Sequence, residues 1–210
     1  VKDALRFSIL VRIISSWDLN DPVQLLKATV LACGHNMLLR TGELTSGILA
    51  HQFTWRLHLG FALALRRTKT YRSGSGVSIA LDNFDHPFSA VSLLYKWWLL
   101  QDFSNNPDAI VFPAIIHGKI VYSQPMTGAF VRSIIKSAVS ELGLDPRRFS
   151  GHSMRAGGAT DLFASRIPYW VIKKMGRWTS DAALKYYRSE EDVVASVRQA
   201  FRRVSRSTVR

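Results

Sequence analysis

Residues 150–161 read SGHSMRAGGATD: a serine suited to capping a helix, a histidine and an arginine three apart, then two adjacent glycines. Each glycine in a helix interior costs roughly 1 kcal/mol against alanine, so Gly157 and Gly158 are expected where a neighbouring helix packs closely. On a helix, His152 and Arg155 lie within about 60° of each other on one face. A guanidinium fork grips two phosphate oxygens, and an imidazole exchanges a proton near neutral pH. Read alone, an HxxR pair is more often a surface feature than a site. No second His, Cys or carboxylate sits at ligand spacing around it, which sets metal binding aside.

Downstream, GRWTSDAALKYYR (176–188) supplies Trp178, a capping residue at Ser180 or Asp181, and two tyrosines on a short helix. Core aromatics are the bland reading, and at least one tyrosine fits it. A tyrosine nucleophile is the sharper one. A phenol with a pKa of about 10 attacks a phosphodiester only if its proton is removed and the developing charge is stabilised. Arginines, a general acid and a general base meet that need without metal.

The rest of the chain is consistent with such a partner. Lys and Arg number 28 against 15 Asp and Glu, a net charge of +13, which points to a polyanion. A hydrophobic content of 47% with 20% charged residues describes a globular protein, and excludes a disordered one. Cys33 is the single cysteine, which rules out an internal disulfide and fits a reducing, intracellular setting. No run approaches ~18 uninterrupted apolar residues, as a membrane span requires. The chain starts at Val1 without a signal-peptide pattern, as expected for a fragment or a processed product.

Periodicity gives the fold class. Leu5, Ile9, Leu10, Ile13 and Ile14 share one helical face, and Asp21-Pro22 reads as a cap with proline in the first turn. A central helix, apolar nearly all round, is predicted through LLKATVLACGHNMLLRTGEL (25–44). Residues 52–81 alternate in an extended pattern broken by SGSG, and predict an antiparallel sheet of about three strands. Helical period returns from Pro87; a short extended piece, AIVFPAI, precedes a helix over 125–142. Further helices are predicted at 152–165, 168–175, 181–188 and 191–204. The fold class is mostly α with a small antiparallel β-sheet, in one domain over 1–210.

Taken together, SGHSMRAGGATDLFASRIPYWVIKKMGRWTSDAALKYYR (150–188) resembles the C-terminal signature of the tyrosine recombinase, or phage integrase, family. It is most similar to Cre-like enzymes and to recombinases of eukaryotic mobile elements. LLRTGEL (38–44) resembles the family's first arginine box, and RRTKT (66–70), before the SGSG turn, its lysine-bearing hairpin. The resemblance implies the tyrosine recombinase catalytic-domain fold, with Arg40 and Arg155 holding the scissile phosphate and Glu43 supporting Arg40. It implies Lys69 protonating the leaving 5′-hydroxyl, His152 assisting proton transfer from the tyrosine, and Trp178 donating its indole N–H to phosphate. No cofactor or metal is implied.

Two registers are open for the nucleophile. Nine residues after Trp178 lands on Tyr187, whereas the Y-x-R ending lands on Tyr186, which the shorter WTSDAALKY run favours. PYWVIKKMGRW reads as a buried helix carrying Trp178, in preference to a DNA-recognition helix. The tail helix, about 190–204, is apolar at Val193, Val197, Phe201 and Val204, and the resemblance implies docking into a neighbouring protomer. Expected partners are double-stranded DNA and further copies of the chain, a dimer on a site and a tetramer in synapsis. The family's N-terminal DNA-clamping domain lies outside this chain, so DNA binding is expected to be weak and steeply salt-dependent. The rival readings are type IB topoisomerase-like relaxation and a domesticated, non-cleaving DNA-binding module.

Overall fold

The computed structural model describes residues 2–56, 60–65 and 76–186. Leu10, Ile13 and Ile14 bury one face of α1 (Phe7–Ser15). Asp21 then accepts from the Val23 N–H at 2.9 Å, and with Pro22 it starts α2 (Pro22–Asn36). Leu25, Leu26 and every residue from Ala28 to His35 are buried, so α2 is the central column.

The predicted central helix does not run on to Leu44. It stops at Asn36 with Leu38 in the left-handed region (φ 50°), Leu38 N–H bonding His35 O (3.3 Å) and Leu39 N–H bonding Gly34 O (3.1 Å). This is a Schellman stop built without the usual glycine. Burial of Leu38 against Ala156, Ala159 and Ile172 holds the conformation. The chain restarts as the short helix α3 (Thr41–Leu44), with Arg40 at its N-cap position.

The expected three-stranded antiparallel sheet is present as β1 (Phe53–Arg56), β2 (Gly60–Leu65) and β3 (Val77–Asp82), in that spatial order. Phe53 pairs with Leu63, and Leu65 with Val77. Ser89 caps α4 (Ala90–Gln101), which packs Leu93, Leu94 and Trp97 against the core. The buried Trp97 indole donates to Val111 O at 2.8 Å.

AIVFPAI contributes β4 (Pro113–Ile116), and the structure adds a partner strand that the sequence does not predict, β5 (Lys119–Pro125). His117 and Gly118 both take positive φ at the turn, the two-residue geometry that suits a twisted hairpin. Thr127 caps α5 (Gly128–Glu141), so this helix starts three residues after Pro125.

α6 (His152–Ala164) packs on the end of α2, and α7 (Tyr169–Met175) follows it. Ser150 accepts from the His152 N–H at 3.3 Å, and its own N–H bonds the Ser153 hydroxyl at 2.9 Å. A Cβ on Gly158 would strike the His35 carbonyl oxygen, which is the expected close approach of two helices. Gly157 faces a different neighbour, the Leu5 carbonyl of the extended segment before α1. That segment is bound to α6 through Leu5 N–H to Ser153 O (2.8 Å) and through Asp161, which accepts from Arg6 and from Phe7 N–H (2.7 Å).

The helix expected over 181–188 is a 3₁₀ turn over Asp181–Tyr186. The tail helix, about 190–204, lies outside the described residues, as do Lys69 and Tyr187. No helix among the described residues is long and apolar enough to cross a membrane.

Candidate active site

Two helix stops face each other and shape one cleft. The first is the left-handed Leu38 turn between α2 and α3. The second closes α7, where Arg177 is left-handed (φ 57°) and Trp178 N–H bonds Lys173 O at 3.0 Å. Gly176, immediately before Arg177, has an ordinary helical φ of −79°. Its missing Cβ serves a different end: the Trp178 ring folds back over Gly176 and occupies that space.

Arg155 lies buried between the two turns. Its Nη1 donates to Leu38 O at 2.7 Å, its Nη2 to Gly176 O, and its guanidinium carbon sits 4.2 Å from the Trp178 ring centroid. A guanidinium has five N–H donors, so further donors remain for an anion. Burial first, then the like charges of Arg40 and Arg177, pull Arg155 down to about 9, still protonated at neutral pH.

Arg40 approaches from α3. Its backbone N–H donates to Glu43 Oε2 at 2.7 Å and its Nη1 to Glu43 Oε1 at 3.0 Å. Glu43 is 5% exposed and also takes the Arg177 Nη2 at 2.6 Å. Burial first, with the Arg40 charge, lowers Arg177, although Glu43 opposes the shift. Among the described residues three guanidiniums thus gather around one carboxylate, a surplus of positive charge that favours an anion in the cleft.

The cleft, about 350 Å³, is lined by Arg40, His152, Arg155, Trp178 and Tyr186. Arg177, Thr179, Ser180 and Lys185 complete it. The Tyr186 ring lies 5.6 Å from that of Trp178, and Lys185 Nζ lies 5.0 Å from the Tyr186 ring. Five of the six predicted catalytic residues therefore share one cleft with Glu43 behind it; Lys69 is outside the described residues. Sequence reasoning passed over Arg177 and Lys185, whose only signal was adjacency to Trp178 and Tyr186. Among the described residues no group of three His, Cys, Asp or Glu side chains is placed to hold a metal ion.

Residues 35–193 match the phage integrase family. No curated protein matches the chain by sequence comparison. Among solved structures, the chain is similar to XerA recombinase, with a TM-score of 0.67 at 12% identity over 94% of this chain and 63% of that one. It is similar to XerH site-specific recombinase bound to difH substrate in a pre-cleavage complex (0.64, 15%, covering 90% and 50%). The Tn1549 transposon integrase in complex with circular intermediate DNA gives 0.52 at 15%, covering 90% and 61%. The chain thus spans from half to under two thirds of these neighbours. It belongs to the phage integrase family, and its fold is that of the tyrosine recombinase catalytic domain.

Proposed function

We propose that this protein is a site-specific DNA recombinase that cuts and rejoins strands through a 3′-phosphotyrosine intermediate. The observation that supports this reading best is the convergence of Arg40, His152, Arg155 and Trp178 on the cleft lined by Tyr186. Arg40 comes from a segment far in sequence from the other four, and among the described residues three guanidiniums surround the single carboxylate of Glu43 beside a phenol.

In this reading Arg40 and Arg155 take the non-bridging oxygens of the scissile phosphate and offset the charge that grows in the transition state. Glu43 orients Arg40, and the Trp178 ring fixes the plane of Arg155. The Tyr186 hydroxyl attacks phosphorus while His152 assists removal of its proton. The bond from phosphorus to the 5′-oxygen breaks, and that oxygen takes a proton from Lys69 to leave as the 5′-hydroxyl. Attack by the 5′-hydroxyl of a second strand reverses these steps and releases the tyrosine. The ester conserves the bond energy, so neither ATP nor metal enters. The same proposal has the protein acting as a dimer on each site and a tetramer at synapsis.

The test is covalent trapping on a library of nicked duplexes. An adduct stable to denaturation should form with the wild-type chain and vanish in Tyr186→Phe, with duplex binding retained. Binding without adduct across the library would make the protein a non-cleaving DNA-binding module. Supercoil relaxation without strand exchange would make it a topoisomerase.

A further inference from the structure

Arg177 belongs to none of the roles assigned so far, yet its buried fork makes four hydrogen bonds at the cleft. It is 2% exposed. It donates to Glu43 Oε2 (2.6 Å), Met175 O (2.8 Å), Leu38 O (3.0 Å) and Met37 O (3.4 Å). Two of these acceptors are shared with the phosphate-gripping pair. Glu43 also receives Arg40, and Leu38 O also receives Arg155 Nη1.

Two local costs show that the turn itself does not select this residue. Arg177 is left-handed at φ 57°, a conformation that glycine adopts without strain, while the adjacent Gly176 is right-handed. The Arg177 Nε is also buried without a hydrogen-bond partner. Such costs persist where the surrounding structure requires the residue for another reason. The other reason here is the planar fork, which spans two carbonyl turns and a carboxylate at once. A lysine ammonium has the charge without that reach.

Resting on the recombinase reading above, we propose that Arg177 is a positioning residue: it ties the turn before Arg40 to the turn before Trp178 and so fixes how Arg40 and Arg155 are spaced around one phosphate. It need not touch DNA to do this. Loosening it lets Glu43 swing with Arg40 and lets the Leu38 carbonyl move away from Arg155.

The experiment compares the wild-type chain with Arg177→Lys and Arg177→Gly. Glycine relieves the left-handed backbone while removing the fork, and lysine keeps a charge beside Glu43 if the glycine variant fails to fold. Three readouts are taken: single-turnover adduct formation, duplex Kd, and amide hydrogen exchange over residues 37–43. The proposal expects adduct formation to fall about 100-fold, the size of effect a misplacement of about 1 Å produces, with Kd changed by less than about threefold. Exchange over 37–43 should rise with the remainder of the domain still protected. Near wild-type cleavage in Arg177→Lys would overturn it, as would loss that only follows the unfolded fraction. If the wild-type chain itself forms no adduct, the recombinase reading fails separately. The positioning role then stands or falls on exchange: a local rise over 37–43 in Arg177→Lys supports it, and an unchanged or global pattern rejects it.

Discussion

Arg155 is held by two carbonyls and an indole face, which leaves it little freedom to adopt any other geometry. Charged hydrogen bonds to a developing oxyanion contribute most when they are preorganised in this way. Arg155→Lys keeps the charge but cannot bond both turns and a phosphate. It should lower single-turnover cleavage about 10²–10³-fold while leaving duplex affinity nearly unchanged. A variant cleaving at the wild-type rate would show that the guanidinium geometry is irrelevant. At this scale the sequence placed His152, Arg155, Trp178 and the Tyr186–Tyr187 pair in one short stretch, and the resemblance of that stretch to a family signature singled them out. Arg177 escaped notice because its value lies in long-range bonds to Met37, Leu38 and Glu43, which adjacency to a tryptophan does not reveal.

The elements that carry these residues are positioned by contacts at the α6 glycines and at Asp161. Gly158→Ala drives a Cβ into the His35 carbonyl and should cost about 1–3 kcal/mol. Gly42→Ala, with no described atom within 4 Å of the added carbon, is the control and should hold or slightly raise the melting temperature, since alanine is the better helix former. Equal effects would dismiss the close packing of α6 on α2. Asp161 gathers His35 Nε2 (2.9 Å), Phe7 N–H and Arg6. Burial raises its carboxyl, but those three bonds outweigh burial and hold it below the usual carboxylate range. A folded value below the unfolded one adds stability above the unfolded value and loses it as pH falls through the folded one. Wild-type stability should therefore drop below about pH 4, and Asp161→Asn should flatten that limb. Parallel acid limbs would remove Asp161 from the account. Helix periods, the Asp21-Pro22 start and the three-stranded sheet were legible because local pattern sets them. The stop at Leu38 and the strand β5 were not, since Leu38 is turned by burial against α6 and His117-Gly118 lacks the Asn or Asp that usually signals such a hairpin turn.

Across the whole molecule, the cleft exists because α3, α6, the α7 stop and the 3₁₀ turn over Asp181–Tyr186 meet at the end of α2. A net charge of +13 suits the protein to a polyanion, but charge alone selects no chemistry. The chemistry follows from which side chains the fold brings to one place, and that was legible only as an ordered set of motifs whose resemblance supplied their meeting point. Element order alone could not have placed Arg40 opposite Arg155, because that depends on two helix stops whose left-handed residues, Leu38 and Arg177, are not glycine. The central claim is that Tyr186 attacks the phosphate, and peptide mapping of the trapped protein–DNA adduct tests it most directly. A nucleotide 3′-phosphate on Tyr186 is the predicted result. Attachment at Tyr187, or no covalent attachment to the chain that binds the duplex, would contradict it.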